Sequence, residues 1–175
     1  TLRPANSSGI ERELTAFTPL AQASPAMSSA ELTAALDAAR AAAEVIRGFY
    51  QRNVKIEVKA DKTPVTEADV RSEEAIRELL MRRFPSYGFY GEETGRSHMD
   101  AESVWLVDPI DGTKSFVRDC PFFSTQIALL RGGKFVLGVS CAPAYGELAW
   151  AERGAGAFLD GKPMRVSQLD SLAGA

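Results

Sequence analysis

Apolar residues recur at helical spacing from Leu32 to about Tyr50, through Leu36, Ala39, Ala43 and Ile46, in an alanine-rich stretch. Ser28-Ser29-Ala30-Glu31 precedes it as a capping box, with Ser28 placed to cap and Glu31 to reach back. A second helix is predicted from a cap at Thr66, with Asp69 completing another capping box. It runs to about Arg83 on an apolar side made of Val70, Ala75, Ile76, Leu79 and Leu80, and Phe84-Pro85 ends it. Between the helices, Lys55 to Lys59 alternates as a short strand and Asp61-Lys62-Thr63-Pro64 breaks structure. After Gly88-Phe89-Tyr90 the pattern is that of strands. Val104 to Val107 is a buried run ending at Asp108, and Phe122–Leu130, Lys134–Cys141 and Gly146–Glu152 form a meander. Its turns are Arg131-Gly132-Gly133 and Pro143-Ala144-Tyr145-Gly146, and a last short strand lies at Ala157–Leu159 between glycine turns. Two helices followed by a mainly antiparallel sheet is an α+β layout.

Composition adds bounds. A chain of 175 residues with 45% hydrophobic and 25% charged residues suits one moderate domain with a real core. No apolar run approaches the ~20 residues of a membrane span, and no secretory layout opens the chain. Residues 1–27 are read as a flexible extension with Pro4, Pro19 and Pro25, and Met27 is a candidate start of the regular part. A net charge of −3 and a pI near 5.3 disfavour nucleic-acid binding. Two cysteines, Cys120 and Cys141, make no disulfide framework and read as buried hydrophobes of a cytoplasmic protein. The single histidine, His98, excludes zinc sites built on two or three histidines, and it falls in a polar loop from Gly95 to Glu102. Carboxylates and backbone groups must carry any chemistry.

The sharpest constellation is Asp108-Pro109-Ile110-Asp111-Gly112-Thr113, directly after a buried strand. Two nearby carboxylates repel, and burying them is costly unless a cation resolves the charge. Asp108, Asp111 and the carbonyl of Ile110 offer oxygen ligands to a hard cation such as Mg²⁺. Gly112 lets the backbone pass close to a ligand, and Gly112-Thr113 opens a short helix at Lys114-Ser115-Phe116. Glu92-Glu93 after Gly91, and Thr66-Glu67-Ala68-Asp69, are the other acidic groups at breaks between elements. Trp105, Phe116, Phe122 and Phe123 are expected in the core.

The order Lys59…Pro64-Val65-Thr66-Glu67-Ala68-Asp69, then Gly91-Glu92-Glu93, then Trp105-Leu106-Val107-Asp108-Pro109-Ile110-Asp111-Gly112-Thr113-Lys114-Ser115-Phe116 resembles the inositol monophosphatase superfamily. Gly154-Ala155-Gly156-Ala157-Phe158 and Arg165-Val166-Ser167 extend the likeness, which spans roughly Ala30 to Gln168. The resemblance implies a layered α/β/α/β/α sandwich, of which this chain is the N-terminal α+β part. It implies two or three Mg²⁺ ions, with Mn²⁺ as a substitute. It places metal ligands at Glu92, Asp108, the Ile110 carbonyl and Asp111. Asp69 and Thr113, with Glu92, match the catalytic positions that orient the attacking water. Phosphoryl oxygens would meet the N–H groups of Gly112 and Thr113, and Lys59 would contact phosphate or a metal-bound water. The implied reaction is in-line hydrolysis of a small-molecule phosphate monoester by metal-activated water.

Within the superfamily, Lys114-Ser115-Phe116 and Pro121-Phe122-Phe123-Ser124-Thr125-Gln126-Ile127-Ala128-Leu129 lean toward the histidinol-phosphate phosphatase branch. L-Histidinol phosphate is therefore the leading substrate, with inositol 1-phosphate or a non-catalytic fragment as alternatives. Relatives continue into a second half with a W-D-x-A-A-G-like motif, and the full-length protein would be a homodimer. Here residues 28–168 read as the metal-binding domain and 169–175 as a truncated end, which leaves one sheet face uncovered. A haloacid-dehalogenase reading fails, because Pro109 and Ile110 separate the aspartates where D-x-D-G-T allows one residue.

Overall fold

The computed structural model describes residues 29–52, 56–58 and 64–168. The expected extension at 1–27, Ser28, Lys59, the break at 61–63 and the end at 169–175 lie outside the described residues.

The alanine-rich pattern folds as α1 (Ala30–Phe49). Its buried face holds Leu32, Leu36, Ala39, Ala43 and Ile46 as expected, and also Ala34, Ala35, Ala38 and Ala42. So much alanine lets the helix backbone lie close to its neighbours without losing helix propensity. The cap is Ser29, whose hydroxyl accepts from the Leu32 amide at 3.0 Å. Glu31 does not reach back to the cap. It accepts instead from Arg131 at 2.7 Å and Tyr87 at 3.0 Å, because a guanidinium is a stronger partner than one neutral amide, and the Ser29 amide donates to Glu152.

Two short strands, β1 (Ile56–Val58) and β2 (Pro64–Thr66), pair antiparallel. Pro64, expected only to break structure, is the first residue of β2, a strand position that tolerates the missing N–H. Thr66 then caps α2 (Glu67–Arg83), with the capping box to Asp69 formed as expected. The apolar side of α2 matches the expectation at Ile76 and Leu80, which are buried, and at Leu79, which packs against the core, but not throughout. Val70 is 36% exposed, whereas Ser72 and Glu73 are fully buried beside Ala68, Asp69, Ile76 and Leu80. Asp69 and Glu73 take places on this face because their oxygens find partners, whereas the small Ser72 hydroxyl is buried without one.

The remaining elements are β3 (Gly88–Gly91), β4 (Arg96–Ser97), β5 (Ser103–Asp111), α3 (Thr113–Phe116), β6 (Ser124–Arg131), β7 (Lys134–Ala142), β8 (Glu147–Glu152), β9 (Gly156–Leu159) and β10 (Lys162–Met164). They form one sheet in the order β10-β9-β8-β7-β6-β5-β3-β4. Every neighbouring pair is antiparallel except β3 and β5, which run parallel. The α+β layout stands. β4 and β10 are additions: strands of two or three residues carry no readable periodicity. β5 continues past Asp108 to Asp111 through a shift of register against β6. β6 starts at Ser124, and Phe122 before it is 71% exposed, so Phe122 is not the core residue expected.

Helices α1 and α2 cover one face of the sheet. Phe89, Trp105, Val107, Ile127, Leu129, Leu137, Val139, Leu148 and Trp150 point into that layer from alternate strand positions. Each such buried side chain contributes roughly 1.5–3 kcal/mol relative to exposure. By the same alternation, Leu106, Ala128, Gly138 and Ala149 face the other way. That side carries a concavity of about 960 Å³, also walled by Tyr90, Glu92, Asp108 and Ala157. A second cluster of Ile46, Ala68, Ile110, Phe116 and Phe123 ties α1, α2, β5 and α3 together. Among the described residues no helix is long and apolar enough to cross a membrane.

Candidate active site

The parallel pair is the feature that builds the site. Gly91, the last residue of β3, lies beside Val107 within β5, so the chain leaves β3 next to Asp108. The Glu92 amide donates to the Val107 carbonyl at 3.2 Å. Glu92 and Asp108, each the next residue of its chain, therefore meet and share a hydrogen bond between their carboxyls. Asp111 is near enough to act on Asp108 through its charge. The Asp108 carboxyl is pushed up to about 7, first by burial, then by the charges of Glu92 and Asp111 and by the Glu92 hydrogen bond. The Ile110 amide opposes the shift by donating to Asp108. Glu92 and Asp111 are themselves exposed and Asp108 is half-buried, so all three can be reached from solvent.

A second group of polar atoms lies at the start of α2. Asp69 is 1% exposed. Its Oδ2 accepts from the Thr66 amide at 2.8 Å and the Thr66 hydroxyl at 2.6 Å. Its Oδ1 accepts from the Thr113 hydroxyl at 3.1 Å, and the Ile110 carbonyl lies 3.1 Å from the same hydroxyl. Burial raises the Asp69 carboxyl above its ordinary value, and the hydrogen bonds from Thr66 and Thr113 only partly reverse this. Thr113 thus joins the α2 N-terminus to the Asp108–Asp111 turn. Gly112 makes this possible: its φ of 104° and ψ of 31° are open to glycine, and a Cβ there would lie 2.7 Å from the Phe122 carbonyl.

The structure therefore assembles Glu92, Asp108 and Asp111 as one acidic group, and Asp69, Thr113 and the Ile110 carbonyl as an adjoining network. Among the described residues, no three His, Cys, Asp or Glu side chains already stand in a cation-holding geometry. The donors are nevertheless all oxygen, and Glu92 and Asp111 stand close enough to Asp108 for their like charges to act on it, a repulsion that a hard divalent cation would relieve. The residues present fit Mg²⁺ or Mn²⁺ by donor type and by charge. His98 is an exposed loop residue with a positive φ of 47°, outside this cluster.

Two supporting residues, Thr125 and Glu73, escaped the sequence reading, and Thr66, read there as a helix cap, has a second role. The Thr125 hydroxyl, fully buried, donates to the Pro109 carbonyl at 2.8 Å and fixes the turn between the two aspartates. The Thr66 hydroxyl serves Asp69 as well as the helix cap. Glu73 binds the backbone that follows Glu92. The one signal for Glu73 is its place four residues after Asp69, on the same side of a helix.

A sequence model of the inositol monophosphatase family matches residues 28–175. The chain is 41% identical over 140 residues to a histidinol-phosphatase of Chlorobaculum parvum, covering 79% of this chain and 54% of that protein. It is also 41% identical over 146 residues to an inositol monophosphatase of Mesembryanthemum crystallinum, covering 81% of this chain and 54% of that protein. Its fold superposes on the extragenic suppressor protein suhB of Bartonella henselae with a TM-score of 0.77 at 35% identity, over 81% of this chain and 56% of that one. The chain spans about half the length of the relatives it matches. With the family sequence, the fold and the acidic strand ends all in agreement, the chain belongs to the inositol monophosphatase family.

Proposed function

We propose that this chain supplies the cation-binding and water-orienting part of a phosphomonoesterase site. The observation that carries the proposal is the meeting of Glu92 and Asp108 where the parallel pairing of β3 with β5 ends, with Asp111 alongside and Thr113 held by Asp69. Glu92, Asp108, Asp111 and the Ile110 carbonyl would hold Mg²⁺, with Mn²⁺ as a substitute. When bound, the cation supplies Lewis-acid polarisation of a phosphoryl oxygen and lowers the pKa of water. Asp69 orients the Thr113 hydroxyl, and that hydroxyl positions the attacking water with Glu92. The N–H groups of Gly112 and Thr113 would meet phosphoryl oxygens. Residues 28–168 act as one metal-binding unit in this reading.

The substrate is a small phosphate monoester, and L-histidinol phosphate leads. Support comes from Lys114-Ser115-Phe116 and the Pro121–Leu129 stretch, since relatives of both substrate names match at equal identity. Inositol 1-phosphate is the alternative. A non-catalytic reading also has an observation in its favour, because the matched part is about half the length of the relatives and Glu92 and Asp108 wall an open concavity. The protein acts as a monoesterase in the cytoplasm and pairs as a homodimer in this proposal, which membrane and nucleic-acid binding do not enter.

The test is phosphate release by the 175-residue chain from L-histidinol phosphate and inositol 1-phosphate, with Mg²⁺ or EDTA. Release with Mg²⁺, lost in EDTA and in Asp111→Asn, and faster with L-histidinol phosphate, is the expected result. Mg²⁺ binding without release selects the non-catalytic reading. A folded chain that binds no divalent cation refutes the proposal.

A further inference from the structure

Glu73 is a carboxylate with 0% exposure in the middle of α2. Burying such a group is costly unless its oxygens are satisfied, and those of Glu73 are satisfied by one short loop. Its Oε2 accepts from the Glu93 amide at 2.8 Å. Its Oε1 accepts from the Thr94 amide at 2.5 Å and from the Thr94 hydroxyl at 2.6 Å. These are the two peptide groups that directly follow Glu92. Arg77, one turn further along α2, donates to Thr94 Oγ1 at 3.2 Å and to Ser97 Oγ at 3.0 Å, while its guanidinium lies 4.8 Å from the centre of the Phe89 ring. Asp69, Glu73 and Arg77 thus form a polar stripe at four-residue spacing, with Asp69 bound to Thr66 and Thr113 and with Glu73 and Arg77 both bound to Thr94.

Gly91 adds a second observation. A Cβ on this residue would collide with the Glu73 carboxylate, so the bare backbone before Glu92 is what admits that carboxylate. An apolar side chain would fasten α2 to the sheet without the cost of a buried charge. Only an acceptor with two oxygens satisfies two successive N–H groups and a hydroxyl at once. Glutamine has one acceptor oxygen and would turn an NH₂ donor toward an N–H.

We propose that Glu73 is a positioning residue: by fastening the peptide groups of Glu93 and Thr94, it holds the Glu92 carboxylate against Asp108, and cation affinity depends on Glu73 through Glu92. The proposal rests on the cation-binding reading above. Outer residues that orient metal ligands change affinity by about 10–100-fold when altered.

The experiment titrates Mn²⁺ alone into the full chain by electron paramagnetic resonance. It uses the wild type, Glu92→Gln, Glu73→Gln, the double variant and Thr94→Val, with metal-free thermal midpoints as the folding check. Glu73→Gln is expected to weaken Mn²⁺ binding about 10–100-fold, and the double variant to bind no more weakly than Glu92→Gln alone. Thr94→Val, which removes the hydroxyl that donates to Glu73 and accepts from Arg77 and keeps both amides, is expected to weaken binding about 3–10-fold. The proposal is overturned if folded Glu73→Gln binds as the wild type does, or if the Glu73 and Glu92 losses multiply in the double variant. Should Glu73→Gln not fold, unchanged affinity in Thr94→Val overturns it. If the wild type shows no saturable Mn²⁺ binding, or Glu92→Gln loses none, the cation reading falls and this proposal with it.

Discussion

Replacing Gly112 by alanine separates two kinds of cost at the turn that joins Asp111 to Thr113. The first is conformational. A side chain in left-handed backbone costs roughly 1–2 kcal/mol, and the φ of 104° at Gly112 lies beyond the ordinary left-handed well. The second is steric. The added Cβ would stand 2.7 Å from the Phe122 carbonyl oxygen and 3.2 Å from the Phe123 Cα, both backbone atoms. They cannot retreat freely, because the Phe123 ring is wedged 5.2 Å from the Phe116 centroid and 5.0 Å from that of Tyr50. Overpacking of this kind costs about 1–3 kcal/mol. The stiffer unfolded chain returns about 0.4–1 kcal/mol, leaving a net loss on the order of 2–4 kcal/mol. Gly132→Ala is the control: its φ of 54° is in the left-handed well, and nothing lies within 4 Å of its Cβ position. That variant bears the conformational cost alone, about 1 kcal/mol after the same offset. Urea unfolding of the three proteins, compared by midpoint at a shared slope, measures the difference. If Gly112→Ala loses no more stability than Gly132→Ala, the close approach of Phe122 and Phe123 is not what demands glycine here.

Other expectations concern protonation and packing. The folded-state carboxyl of Asp108 is raised from 3.8 to about 7, so between those values the folded chain holds more protons than the unfolded one. Without metal, stability from this group falls as pH rises through that window, and Asp108→Asn should flatten the fall in urea midpoints between about pH 4 and 7; equal slopes would refute it. Cys141 is fully buried and its thiol is pushed up to about 12, chiefly by burial, so at pH 8 it should resist alkylation in the native chain and react after unfolding. Rapid native labelling at Cys141, located by peptide mass, contradicts this. At Glu31, burial opposes ionisation, but the hydrogen bonds from Arg131, its own amide and Tyr87 prevail and lower the carboxyl below 4.5. The ion pair therefore contributes above that value and is lost as pH falls below it. Arg131→Met should cost about 0.5–1 kcal/mol near pH 7 and less near pH 3, read from urea midpoints.

Much of the fold was legible because it follows from local pattern. The spacing of Leu32, Leu36, Ala39, Ala43 and Ile46 fixes a buried helix face, and Thr66 with Asp69 fixes the start of α2. The alternation from Ser124 onward, punctuated by Gly132-Gly133, fixes the meander of β6, β7 and β8. The acidic residues at strand and helix ends were legible too, since an oxygen-rich run such as Asp108-Pro109-Ile110-Asp111 has few uses other than holding a cation or capping a turn.

What the pattern does not contain is which ends meet. Glu92 and Asp108 are brought together by the parallel pairing of β3 with β5, a long-range choice that no local period encodes. Nor does hydrophobicity reveal that α2 buries Ser72 and Glu73 and leaves Val70 exposed, because a buried carboxylate is acceptable only where partners from another segment satisfy it. Phe122 reads as core and stands in solvent, since the turn after α3 directs Phe123 inward in its place. The sequence by itself determined the elements and the chemical types at their ends; tertiary structure decided the pairing, and with it the shift on Asp108 and the work of Glu73, because desolvation and charge repulsion exist only once distant groups share one small volume.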